Sequence, residues 1–164
     1  MNFDPQAYGT EVAAILALDG GGQRLMPLVR ETCSSEQARA RLKFDASHGL
    51  FPHSRAPEAA LAGLYFYFGC WQESHETAQE IRTPEGSYWH AIVHRQEPDA
   101  GNAGYWFARV GEHPIFPALA RIAGVKRWDP LEFIRQCESG APGALELQRA
   151  EWQLLFDYCA AKKR

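Results

Sequence analysis

Two histidines one helical turn apart, His90 and His94, are the residues of this sequence best suited to chemistry. Side chains four residues apart lie on the same face of a helix, so both imidazoles can direct a ring nitrogen at one ion. Glu97 follows His94 by three residues and shares that face. The spacing predicts a site for a divalent metal such as zinc, iron or manganese.

A metal site on this helix needs a further ligand, and the sequence leaves four candidates open: His75, His113, Glu97 and Asp99. Position 91 is alanine, whereas the H-E-x-x-H zinc proteases carry glutamate there, so that class of enzyme is excluded. Without a metal, His90 and His94 would hydrogen-bond neighbouring helices at the edge of the core. The spacing alone favours this structural interpretation over a metal site.

Polar and aromatic side chains around the histidines also predict a ligand pocket. The candidate binding residues are His75, Gln79, Trp89, Asn102, Tyr105 and Arg109. The guanidinium of Arg109 and the phenol of Tyr105 could hold an anionic or planar ligand. An ion pair from Arg109 to Glu97, Asp99 or Glu112 is the favoured alternative. A pocket shared by the two helices that carry these groups would need walls from residues 72–81 and from the segment around His113.

The elements that position these groups are predicted to be helices. Asp-Pro and Thr-Pro pairs mark helix starts, and glycines mark helix ends. Clear period-2 alternation is absent, so no strand is predicted and the fold class is all-α. The predicted helices span residues 5–18, 36–44, 58–68, 72–81, 84–97, 99–110, 117–123, 130–137 and 143–161.

The central helices form two successive hairpins of similar plan, at 58–81 and 84–110. Each has an aromatic-rich first helix, a tight turn and a second helix. This plan predicts stacked antiparallel hairpins that are loosely similar to tetratricopeptide units, within one compact domain over residues 1–164. The helix at 58–68 is apolar on every side, so we expect it at the centre of the core.

Composition narrows the function classes. A net charge of −3 and a pI near 6.1 give no basic surface for nucleic acid. The longest apolar run is about half the ~20 residues that a membrane span needs, and the start lacks the features of a secretory signal, so a cytoplasmic protein is expected. The four cysteines show no paired spacing and are predicted to be buried free thiols: Cys33, Cys70, Cys137 and Cys159.

The run from Ser87 to Pro114, together with Gly63 to Cys70, resembles a family of small, uncharacterised, mostly bacterial proteins. The resemblance implies no activity, substrate or cofactor. This chain has Ala108-Arg109 where the family pattern has two consecutive arginines, which removes support for a paired-arginine role.

The sequence as a whole predicts a protein that binds a small ligand or a protein partner through its histidine- and aromatic-rich region, residues 61–113. The alternative is a metal-dependent enzyme, a hydrolase, with His90 and His94 as ligands and Glu97 or Asp99 handling a proton. The oligomeric state is left open.

Overall fold

Helices make up the regular structure in the computed structural model, which describes residues 2–162. No strand occurs among these residues, so the predicted all-α class is confirmed. Two short 3-10 helices lie at Pro5–Tyr8 and Gly20–Gly22. The α-helices are α1 (Thr10–Leu16), α2 (Glu36–Ser47), α3 (Pro57–Tyr67), α4 (Trp71–Gln79), α5 (Pro84–Gln96), α6 (Ala100–Val110), α7 (Phe116–Ala123), α8 (Pro130–Ser139) and α9 (Ala144–Ala160).

Side-chain caps fix several helix starts where the sequence predicts them. The hydroxyl of Ser35 accepts a hydrogen bond from the backbone N–H of Ala38, and the carboxylate of Asp99 accepts one from the N–H of Asn102. The first predicted helix is wrong as one unit. Gly9, at φ 106°, interrupts it and separates the 3-10 turn from α1, because this left-handed backbone conformation cannot continue a helix.

α3 lies in the core, as predicted, and α9 packs against α3, α7 and α8. The absence of a side chain at Gly63 lets α3 approach α5. A Cβ there would lie 2.6 Å from the indole ring of Trp89. The indole N–H of Trp152 on α9 donates to the carbonyl of Gly63 at 2.8 Å, so one glycine serves two close contacts.

The helices around the histidines are neighbours in space as well as in sequence. α3 packs on α4, α4 on α5, and α5 on α6, the last being the most extensive helix contact in the described chain. α5 therefore lies between α4 and α6, each joined to it by a short connection. The finer likeness to tetratricopeptide units stays a prediction.

A buried ion pair joins α5 to α9. The guanidinium of Arg95 contacts the carboxylate of Glu151 at 2.6 Å, and both side chains are fully buried. The phenol of Tyr88 donates to the other carboxylate oxygen of Glu151 at 2.9 Å. The amide oxygen of Gln148 accepts a weaker hydrogen bond from Arg95 at 3.3 Å. Such a network holds two helices in one register, since a change of register would leave buried charges unpaired.

The prediction of four free thiols is wrong for two of them. Cys33 and Cys70 form a disulfide, whereas Cys137 and Cys159 are free and buried as expected. The segment before α2 runs alongside the turn between α3 and α4, where the N–H of Ser34 donates to the carbonyl of Phe68 at 2.7 Å. This chain path brings the two cysteines together, and their spacing in sequence gives no sign of it.

Among residues 2–162, no helix combines the length and the apolar character that a membrane span requires.

Candidate metal centre

Three imidazoles from two adjacent helices converge at one point. His75 comes from α4, and His90 and His94 come from α5. One ring nitrogen of each lies within 4.8 Å of the other two. The Nε2 atoms of His75 and His90 are 3.0 Å apart. Nitrogen ligands around a tetrahedral zinc ion are separated by about 3.3 Å, so the cluster has the dimensions of a coordination sphere.

Two tryptophans hold the imidazoles in place. The indole of Trp71, one turn before His75 on α4, stacks on that ring with centroids 4.9 Å apart. The indole N–H of Trp71 donates to the carbonyl of Val93 at 2.8 Å and so fixes α4 to α5. From the opposite side, Trp106 on α6 stacks on His90 at 4.0 Å. The sequence reasoning missed both roles, although the four-residue spacing of Trp71 and His75 was a visible signal.

Glu97 orients the third imidazole. Its Oε2 lies 2.7 Å from Nδ1 of His94. An ionised carboxylate can only accept, so Nδ1 of His94 carries a proton, and in the neutral ring the lone pair lies on Nε2. The amide nitrogen of Asn102 lies 3.4 Å from the same Nδ1 but cannot donate to it while that atom carries the proton. A carboxylate on the far nitrogen of a histidine is the usual companion of a metal-binding imidazole.

Burial affects the protonation of the cluster. His90 and His94 are both buried, at 4% and 6% exposure, and His75 is partly buried. Desolvation and the neighbouring imidazoles of His75 and His94 lower the pKa of His90 to about 4. Desolvation, followed by the neighbouring His94, also lowers the pKa of His75. Both rings are therefore neutral near pH 7 and each has one nitrogen lone pair.

His113 does not join the cluster, which corrects its assignment as a metal ligand. It is buried near the first turn of α5, where its Nε2 lies 3.6 Å from Oε1 of Glu85. Its ring also contacts Tyr88 edge-on, with centroids 5.4 Å apart. The imidazole of His113 and the hydroxyl of Thr83 lower the pKa of Glu85 to about 2. His113 thus lies beside Glu85, at a place separate from the three histidines.

The carboxylates after α5 have structural tasks. Glu97 and Asp99 do lie near His94, with ligand atoms of all three within 4.8 Å, but both carboxylates are exposed. Glu97 is engaged with His94, and Asp99 caps α6 through the N–H of Asn102. Because both carboxylates are engaged in these contacts, neither one is free to face the three histidines. The structure therefore gives no support to the predicted proton-transfer role of Glu97 or Asp99.

The predicted ligand-binding residues separate into four places. His75 belongs to the histidine cluster and Asn102 lies beside it, whereas Gln79 and Arg109 line an adjacent cavity of about 630 Å³. Tyr105 is exposed on α6 outside that lining. Trp89 is fully buried against Gly63 and is outside the cavity lining. Periodicity placed it on an inner face but could not distinguish a core position from a pocket wall.

The ion pair favoured for Arg109 does not form. Glu112 pairs with Arg127 instead, and the Arg109 guanidinium lies over the ring of Trp106, 5.4 Å from its centroid. A shared pocket was expected to have walls from residues 72–81 and from the segment around His113. Residues 79–81 do form one wall of the cavity, but His113 forms none. Arg82, which also lines it, was missed because nothing in its local sequence distinguishes it from other loop arginines.

No protein-family model, curated protein or solved structure matches this chain. The resemblance to a family of small bacterial proteins stays a prediction.

Proposed function

We propose that this protein binds one divalent transition-metal ion through His75, His90 and His94. The observation that carries the proposal is the convergence of three imidazoles, a partly buried one from α4 and two buried ones from α5, with ring nitrogens within 4.8 Å of one another. An all-imidazole ligand set suits zinc, iron, copper or nickel and disfavours magnesium and calcium, which prefer oxygen ligands.

Three protein ligands leave at least one coordination position open. Structural zinc sites are closed by four protein ligands, whereas catalytic ones keep a position for water or substrate. We therefore propose further that the ion holds a small ligand or a water molecule, and that metal-dependent hydrolysis is the reaction class to test. A zinc ion would lower the pKa of such a water to about 7. Glu97 would orient His94 and strengthen it as a ligand.

The competing account is a metal-free hydrogen bond between His75 and His90. A neutral imidazole can donate from one nitrogen and accept at the other, so the 3.0 Å separation of the two Nε2 atoms also suits this bond. It involves only two of the three rings, whereas Nδ1 of His90 is buried without a hydrogen-bond partner in either account. Metal content separates the two accounts.

The test is elemental analysis by inductively coupled plasma mass spectrometry of protein purified without an affinity tag. We expect near-stoichiometric zinc, iron or another transition metal, and loss of that metal in the double variant His90→Gln/His94→Gln. His53→Gln removes an exposed histidine and is the matched control. Circular dichroism shows whether the double variant keeps its helices. If the helices are lost, the single variant His75→Gln, which changes a less buried ring, is tested in place of the double variant.

Two results would overturn the proposal. One is wild-type protein that contains no metal and takes up none on reconstitution with zinc, iron(II), manganese(II) or nickel. The other is a folded His90→Gln/His94→Gln variant that retains the full metal content.

A further inference from the structure

A cavity of about 630 Å³ opens beside the histidine cluster. The end of α4, the loop after it, the first turn of α5 and one face of α6 form its walls. The lining includes Gln79, Arg82, Ser87, Trp106 and Arg109. Sites for small molecules span about 300–1,000 Å³, so the cavity has the size of a ligand site.

The cavity has an unbalanced positive charge. Its lining contains two arginines and no acidic side chain. Within residues 2–162, no carboxylate lies within ion-pair distance of either Arg82 or Arg109. The acids nearest in sequence, Glu80 and Glu85, are both outside the lining, and Glu85 faces His113 at 3.6 Å. Two guanidiniums on one concave surface, without internal counter-charges, are suited to an external anion.

The cavity is adjacent to the three histidines. Ser87 precedes His90 by three residues on α5, and Gln79 follows His75 by four on α4. One helical turn is about 5.4 Å, so the lining begins roughly that far from the imidazoles along both helices. Trp106 belongs to both places, since its indole stacks on His90 and also lines the cavity.

We infer that this cavity binds the phosphate group of a small phosphorylated molecule whose remaining atoms extend towards the histidine cluster; the second part rests on the metal site proposed above. A phosphate carries up to two negative charges and three acceptor oxygens, which two forked guanidiniums can satisfy together. The Ser87 hydroxyl and the Gln79 carboxamide supply further donors at the same wall. A carboxylate has one charge and two oxygens, and a single arginine suffices for it.

The test measures binding of inorganic phosphate by isothermal titration calorimetry, in a buffer without phosphate, on metal-loaded and on chelator-treated protein. We expect binding in both forms, because the guanidiniums and not the ion hold the phosphate. Arg82→Gln and Arg109→Gln should each weaken it by about tenfold or more, and the double variant should abolish it. Arg121→Gln, which removes an exposed arginine of α7 outside the cavity, should leave it unchanged. Acetate should bind at least tenfold more weakly than phosphate.

The outcomes separate this inference from the metal site. Phosphate binding that depends on Arg82 and Arg109 in a protein that takes up no metal would support the anion site and overturn the metal proposal. A stoichiometric metal together with phosphate binding that survives the double arginine variant would overturn the anion site alone. Acetate that binds as tightly as phosphate would overturn the choice of phosphate. Absence of phosphate binding in both forms would overturn the inference entirely.

Discussion

Oε2 of Glu97 lies 2.7 Å from Nδ1 of His94, at the end of the helix that carries two of the three clustered imidazoles. This contact fixes the tautomer of His94 and leaves Nε2 as its lone-pair nitrogen. The two residues are only three apart, so the orientation depends on the local geometry at the end of α5 and not on a distant element. A metal site that uses His94 therefore depends on Glu97 as well.

Replacement of Glu97 by glutamine should weaken metal binding. Glutamine keeps the shape of the side chain and can still accept a hydrogen bond, but it lacks the charge that polarises the imidazole. We expect metal affinity to fall by about 10- to 100-fold, with His75, His90 and His94 all intact. Competition against a chromophoric chelator measures the change.

Glu80→Gln is the matched control for this experiment, because it removes one exposed negative charge just after α4. It should leave the affinity unchanged. An affinity for metal that is equal in Glu97→Gln and wild type would refute the orienting role.

The buried pair of Arg95 and Glu151 should be essential for stability. Replacement of Glu151 by glutamine leaves the Arg95 guanidinium buried without its counter-charge. We expect the free energy of unfolding to fall by about 3–5 kcal/mol, measured by urea denaturation. Glu132→Gln, which breaks an exposed pair with Arg135 on α8, should cost less than about 1 kcal/mol. Equal losses in both variants would contradict the assigned importance of burial.

The disulfide should stabilise the fold by constraining the unfolded chain. Cys33 and Cys70 are 37 residues apart, and the chain-entropy relation for such a loop gives about 3–4 kcal/mol. Cys33→Ser should lower the urea midpoint accordingly. A reductant should lower the midpoint of the wild-type protein and leave that of Cys33→Ser in place. A wild-type urea midpoint that stays unchanged in the reductant would contradict the stabilising role of the disulfide.

Stability should fall in acid through Glu85. The neighbouring His113 and Thr83 lower its pKa from 4.5 to about 2, so the native state binds the proton more weakly than the unfolded chain does. The resulting stabilisation is fully present at pH values above 4.5, the ordinary pKa of the glutamate. It is lost as the pH falls towards about 2, the pKa of Glu85 in the native state. Glu85→Gln should be less stable than wild type at about pH 6, and the difference should shrink by about pH 3. Urea midpoints at the two pH values measure it, and an equal difference at both would contradict the assigned shift.

The sequence was sufficient to predict most helices because local chemistry fixes their ends. Thr83-Pro84 begins α5 at the predicted residue, and the cap at Ser35 and the glycine at position 124 lie where the sequence places them. These signals act within one turn of the chain. Gly9 was the exception, since a glycine inside an otherwise helical pattern need not interrupt it.

Contacts between distant segments of the chain could not be predicted from the sequence. His90 and His94 share a helical face, which periodicity predicts, but the choice of His75 over His113 depends on how α4 packs on α5. Arg95 and Glu151 are 56 residues apart, and neither position differs locally from an exposed charge. The pairing of Cys33 with Cys70 likewise depends on the path of the chain before α2.

The most direct test of the metal site is a crystal structure of zinc-loaded protein with diffraction data collected on both sides of the zinc absorption edge. The account predicts one strong anomalous peak about 2.0–2.1 Å from a ring nitrogen of each of His75, His90 and His94. A peak held by Glu97 and Asp99 without His75 and His90, or no peak between the three imidazoles, would contradict it.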